Sequence, residues 1–241
     1  MSIIEFPGTP IPNAFFITGS DTNVGKTVIT ALLAATAQAD GQSVCVYKPI
    51  QTGSPDGQNI PDLEMVSTYL DNPVDVANSY NLIPPVAPFV ATAVMEAEDI
   101  DCQVIHDRLK ALSNEYDLVL VEGAGGVRVP IAPEVEQTDL IKQLGIPVIV
   151  VVRPDLGTIN HTQLTLEALT HREIPIHAVV VSNMPETTDD LAIESLPWVF
   201  ENFLEVDASV IACPPLDLPP NGAPLNAEHP VVQQWQDYEI V

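Results

Sequence analysis

The stretch Ala14-Phe-Phe-Ile-Thr-Gly19-Ser-Asp-Thr-Asn-Val-Gly25-Lys-Thr27 decides the fold. Residues 14–18 form a short apolar run suited to a buried strand, and residues 25–39 have the composition of a helix. Between them lies a turn of small and polar residues ending in Gly-Lys-Thr. Strand, glycine turn and helix make the context in which a phosphate-binding loop works. N–H groups of the turn and the helix start present partial positive charge to phosphate oxygens. Gly25 permits close backbone approach, Lys26 is placed to reach the outer phosphates, and Thr27 to offer its hydroxyl to Mg2+. The general pattern has four residues between its glycines, whereas Gly19 and Gly25 bracket five. On spacing alone, a helix start that merely contains Gly-Lys-Thr stays open. The flanking strand and helix favour the nucleotide.

Outward from this segment, strand-like and helix-like runs alternate. Strands are expected at residues 43–47, 117–121, 146–152 and 177–181, the run at 146–152 being the strongest. Helices are expected at 62–70, 101–113, 138–144, 161–171 and around 189–203. Residues 53–61, rich in Gly, Pro, Asn and Asp, read as a loop, and 84–90 as a proline-rich connection running into an acidic stretch. Continuous apolar strands alternating with helices predict an α/β fold, a mostly parallel sheet covered by helices on both faces. No repeat and no boundary interrupts the chain, so a single domain is expected over residues 1–241. Residues 1–13 would form an extended lead-in, and the proline-rich tail at 213–241 would pack on or beside the domain.

Composition excludes several classes of partner. The chain of 241 residues carries 33 Asp and Glu against eight Lys and Arg, a net charge of -25. Such a surface repels nucleic-acid backbones and anionic lipid. No apolar run is long enough to span a bilayer, no basic leader precedes one, and the expected setting is cytoplasmic. Cys45, Cys102 and Cys213 are widely spaced and the histidines lack metal-site spacing, so neither set reads as a ligand cluster.

Scarce cations make two lysines conspicuous. Lys26 and Lys48 both stand beside small-residue turns, whereas Lys110 and Lys142 read as surface residues. Lys48 follows the strand at 43–47 and precedes Pro49, which biases it to extended geometry near the same rim as the phosphate loop. There it would stabilise negative charge on a transferred phosphoryl group, or be a plain lysine at a strand end. Glu122 ends the strand at 117–121, where ligands gather in open α/β sheets, and is the expected carboxylate for Mg2+. The ribbon after it, Gly123, Ala124, Gly125 and Gly126, can lie close to a ligand. Asp62 is a further metal candidate or a helix N-cap. Free amides over residues 156–161 suit a carboxylate, or Asn160 simply caps a helix there. Asn183 at a strand end suits a base edge or an ordinary turn.

Five segments together resemble the dethiobiotin synthetase family: GSDTNVGKT (19–27), KPIQTG (48–53), VEGAGG (121–126), LGTINHT (156–162) and VSNMP (181–185). The five-residue spacing in the phosphate loop is that family's own form. Asn23 stands where an acid is common in the family. The resemblance implies an ATP- and Mg2+-dependent ligase acting on 7,8-diaminopelargonate and CO2. Asn23, Val24, Gly25, Lys26, Thr27 and Val28 would bind nucleotide with Glu122, Gly123, Ala124 and Gly125, and Asn183 would contact adenine. Lys26 and Lys48 would be catalytic. Thr22 and Thr52 would orient the diamine or its carbamate, and Thr27, Asp62 and Glu122 would hold Mg2+. The family is homodimeric, which implies that Gly157, Thr158, Ile159 and Asn160 of one subunit bind substrate carboxylate in its partner's site.

One rival belongs to another functional class, a partner-switching ATPase of the partitioning or chaperone type. That group often carries a lysine early in its phosphate loop, where this chain has Ser20 and Asp21.

Overall fold

The computed structural model describes residues 11–204, 206–238 and 240–241. Most of the lead-in expected at 1–13 lies outside them. In chain order the elements are β1 (Ala14–Gly19), α1 (Lys26–Ala39), β2 (Val44–Thr52), α2 (Pro61–Tyr69), β3 (Asp75–Leu82) and α3 (Pro88–Met95). Next come α4 (Cys102–Ser113), β4 (Leu118–Gly126), β5 (Pro130–Ala132), β6 (Val135–Glu136), α5 (Gln137–Leu144) and β7 (Val148–Val152). The chain closes with α6 (Thr158–His171), β8 (Ile176–Val181), α7 (Leu191–Glu194), α8 (Leu196–Phe203), β9 (Ser209–Ala212) and α9 (Pro230–Gln236).

Among the described residues, seven strands form one sheet in the order β3-β2-β4-β1-β7-β8-β9. Every pairing in it is parallel. Only the small β5–β6 hairpin is antiparallel. Side chains alternate faces along each strand, and the core divides accordingly. Phe16, Tyr47, Val121 and Val150 pack with α4, α5, α6 and α8. Ile17, Val46, Leu120 and Ile149 pack on the other side with α1, α2 and α9. The phosphate loop emerges from β1, inside the sheet, with β4 and β7 as its two neighbours. Everything placed at the carboxyl ends of β1, β2 and β4 therefore meets at one rim.

Several elements differ from the sequence expectation. Strand β2 runs five residues past Tyr47, because its pairing changes partner. It is held by β4 only over Val44, Cys45, Val46 and Tyr47, then continues on β3 alone to Thr52. Pro49, which has no N–H to donate, falls in the second part, where one edge of the strand is free of a ladder. Lys48 thus sits inside a strand, at the point where β2 and β4 part. The expected helix at 189–203 is two helices meeting at Ser195, with Pro197 in the first turn of the second. The helix expected from His161 begins at Thr158, with Gly157 as its left-handed N-cap, so Asn160 is not a cap. The N-cap of α2 is Ile60, which leaves the Asp62 side chain free for another partner.

The tail adds structure that composition hid. Leu225 exchanges hydrogen bonds with Tyr69 and Asp71 on either side of Leu70. In α9, Trp235 and Val232 are fully buried in the core layer that also holds α1.

Candidate active site

The loop from Ser20 to Gly25 folds back over the start of α1. Gly25 is left-handed at φ 98°, and a side chain there would run into Ser182 at the end of β8. Only glycine meets both demands. Lys26 Nζ donates to the carbonyl of Asp21 at 3.0 Å, which draws the lysine across its own loop. Burial, then the nearby Lys48 ammonium, holds Lys26 well below the ordinary lysine range, at about 8.

Glu122, expected to end its strand, lies midway along β4, which continues through the glycine ribbon to Gly126, and is 1% exposed. Its Oε1 accepts from Thr27 Oγ1 at 3.1 Å and from Lys48 Nζ at 2.9 Å. Lys48, 3% exposed, also pairs with Asp62 and donates to the Gly123 carbonyl at 3.0 Å. Burial by itself would lower the pKa of Lys48; the Glu122 and Asp62 carboxylates outweigh it, and the net shift is upward. The second oxygen of Glu122, Oε2, is buried with no hydrogen-bond partner among the described residues. A hydroxyl and two carboxylates converging here, one oxygen uncommitted, make a donor set suited to a small hard cation.

Lys26 and Lys48 line one cavity of about 660 Å3, together with Thr22, Thr27, Thr52 and Asp62. Asn23, Gly25, Val28, Glu122, Ala124 and Gly125 line it too. Gly123 enters through its carbonyl on Lys48. Asn23, Gly25 and Val28 also border a second cavity of about 590 Å3, where Val24 and Asn183 lie. Its far wall is the tail, including Cys213, Pro214 and Leu216. That wall is fixed by Cys213 N–H donating to Val181 O at 2.9 Å and Met184 N–H to Cys213 O at 2.7 Å. Arg153, at its rim, pairs with Asp155 at 2.7 Å and faces Asp21 at 3.7 Å. Asn23, Gly25 and Val28 of the phosphate loop and the start of α1 thus border two chambers, one holding Lys26 and Lys48 and one walled by the tail.

Gly157, Thr158, Ile159 and Asn160 line neither cavity. Thr158 is buried; the other three face solvent on α6 and the turn before it. The sequence reading did not single out Gln137, whose side chain bonds the glycine ribbon, nor Arg153. Gln137 opens an amphipathic helix, where a polar residue ordinarily means a solvated end; no local signal marks it as buried.

A strand-loop-helix phosphate cradle with Lys26, Thr27 and the β4 carboxylate bonded to Thr27 defines a P-loop nucleoside triphosphate-binding protein. The family model described as an AAA domain matches residues 13–212. The ATP-dependent dethiobiotin synthetase BioD of Thermodesulfovibrio yellowstonii is 36% identical over 204 residues, 80% of this chain and 85% of the relative. That of an Anaeromyxobacter species is 42% identical over 176 residues, 72% of this chain and 78% of the relative. The chain belongs to the dethiobiotin synthetase family. Among solved structures, the MinC:MinD cell division protein complex of Aquifex aeolicus aligns with a TM-score of 0.56 at 17% identity, covering 85% of this chain and 82% of that one. At that identity the likeness is one of fold.

Proposed function

We propose that this chain closes the ureido ring of dethiobiotin from 7,8-diaminopelargonate, CO2 and ATP, as a single synthetase domain. The observation that carries the reading is the meeting of Lys26, Lys48 and Glu122 in one cavity. One substrate amine, having taken up CO2, presents a carbamate oxygen. That oxygen attacks the γ-phosphorus, its new P–O bond replacing the bond to ADP, which leaves. The second amine then attacks the carbonyl carbon of the mixed anhydride, loses a proton, and expels inorganic phosphate.

The protein's part is charge and placement. Lys26 neutralises the phosphates. Lys48, held where β2 parts from β4, faces charge on the carbamate and the moving phosphoryl group. Thr22 and Thr52 orient the diamine. Mg2+ would be held by Thr27, Asp62 and Glu122, where it would offset phosphate charge. Asn183 and the tail wall would take the adenine.

The loop at Gly157, Thr158, Ile159 and Asn160 serves the partner's site in a homodimer. Two observations support this. These residues line neither of the two cavities around the phosphate loop, and Leu156 beside them is 91% exposed, with Ile159 and Leu164 also exposed. Light scattering should give twice the chain mass, and Leu156→Glu should shift it toward the monomer; a monomeric wild-type protein would remove the shared site. The charge of -25 argues against nucleic acid as a partner. Among the described residues no helix is long and apolar enough to cross a membrane, and the cytoplasm suits the substrates. An omission assay tests the reaction. ADP release should require diamine and bicarbonate together. Release on ATP alone, stimulated by a protein partner, would point to a switch ATPase instead.

A further inference from the structure

We propose that Gln137 is a positioning residue for Lys48, acting through the peptide unit that joins Gly123 to Ala124. Gln137 is 1% exposed at the first position of α5. Its Oε1 accepts from the Ala124 N–H at 2.8 Å. Its Nε2 donates to the Gly126 carbonyl at 3.1 Å and to Thr18 Oγ1 at 3.2 Å. Turned over, the amide would set N–H against N–H at Ala124, so the network fixes its orientation. The C=O of that same peptide unit, belonging to Gly123, accepts from Lys48 Nζ at 3.0 Å. One peptide is therefore gripped at both ends, by the glutamine on its N–H and by the lysine on its carbonyl.

The residues around it depend on that grip. The unit turns about ψ of Gly123 and φ of Ala124, and Gly123 has no Cβ, so on that side the backbone itself resists rotation weakly. A side chain at Gly123 would come within 2.7 Å of Phe16 Cε1 and 2.9 Å of Gln137 Oε1. The ribbon lies directly on the glutamine. Lys48 has two other anchors, the carboxylates of Glu122 and Asp62. The Gly123 carbonyl supplies a third direction, and three fix an ammonium where two let it swing. A hydrogen-bonded chain of this kind also polarises each member, which strengthens the carbonyl as an acceptor.

The inference rests on the synthetase reading of the site, and its test separates the two. Gln137→Met keeps the volume and removes all three bonds. Its kcat should fall about tenfold while the KM for ATP moves less than about twofold. In a Lys48→Met background the same substitution should change the residual single-turnover rate by less than about twofold, since the route to the chemistry is already gone. A wild-type kcat in Gln137→Met overturns the proposal, as does an equal loss in both backgrounds, which a purely structural glutamine would give. Should Gln137→Met fail to fold, hydrogen exchange in the wild-type protein decides: the Ala124 amide should be strongly protected, and exchange at the rate of an open loop overturns the proposal. If the wild-type protein makes no dethiobiotin while Ala124 is protected, the synthetase reading fails and the clamp stands.

Discussion

Two ammonium groups share one cavity, and their surroundings drive them apart in acidity. Lys26, buried and facing Lys48, is held at about 8; Lys48, between two carboxylates, is shifted upward. In the role proposed for it Lys26 meets phosphate as the ammonium, so ATP affinity should fall as pH rises through about 8, approaching tenfold per pH unit above it. The stability of the ligand-free protein runs the other way. Between about 8 and 10.5 the unfolded chain binds more protons at this lysine than the folded one, so its contribution to stability rises with pH. Calorimetric titration with a non-hydrolysable ATP analogue, in wild type and Lys26→Gln, checks the first sign; an affinity flat with pH in wild type contradicts it. Lys48→Met should keep nucleotide binding yet lose product formation by about a hundredfold or more. It should also cost roughly 3 kcal/mol of stability, because buried Glu122 is left facing Asp62 without a cation. Wild-type turnover by that variant would exclude the charge-stabilising role. Thr27→Val should weaken Mg2+-dependent nucleotide affinity, read as a rightward shift of the magnesium titration.

Strands at the centre of the sheet were legible in the sequence because both their faces are buried and every residue is apolar, as in Val148–Val152. The edges were not. Strand β3 reads Asp-Val-Ala-Asn-Ser-Tyr-Asn-Leu, with four polar residues breaking the apolar run, since it pairs on one side only and much of it faces solvent. Strand β9 has four residues at the other edge, and α9 has seven; neither is long enough to show a period. Within the proline-rich connection at 84–90 and the tail at 213–241, Pro88 starts α3 and Pro230 starts α9, where a missing N–H costs nothing. The phosphate loop and both lysines could be found from local chemistry. Gln137, Arg153 and the tail wall could not, because what defines them is a neighbour distant in sequence. One of those tertiary contacts supports the site. Trp235 of α9 is 0% exposed in the layer that holds α1, the helix that begins with Lys26. Trp235→Ala should cost roughly 3–5 kcal/mol, seen as a lower Tm, and should weaken ATP binding as α1 loosens. An unchanged Tm would show that the tail is not part of the folded core.

The charge of the whole molecule opposes its own task. A protein at -25 must draw in ATP, itself polyanionic, with eight cations in all. At low ionic strength the general field slows the approach of nucleotide, and the local charge of Lys26 and Lys48 acts against it at short range. Added salt screens the long-range repulsion more than the buried contacts. Moving from about 0.05 to about 0.5 M salt should therefore raise Tm and speed ATP association, the reverse of the salt effect on a basic nucleotide-binding surface. Stopped-flow association of a fluorescent ATP analogue and a thermal melt across the salt series check both signs. The central claim, that the cavity shared by Lys26, Lys48 and Glu122 makes a ureido ring, is tested most directly by supplying isotopically labelled bicarbonate with diamine, ATP and Mg2+. The account predicts dethiobiotin labelled at its ureido carbon, with ADP and phosphate released in equal amount. ATP consumed at the same rate without diamine, and no label in any ring product, would contradict it.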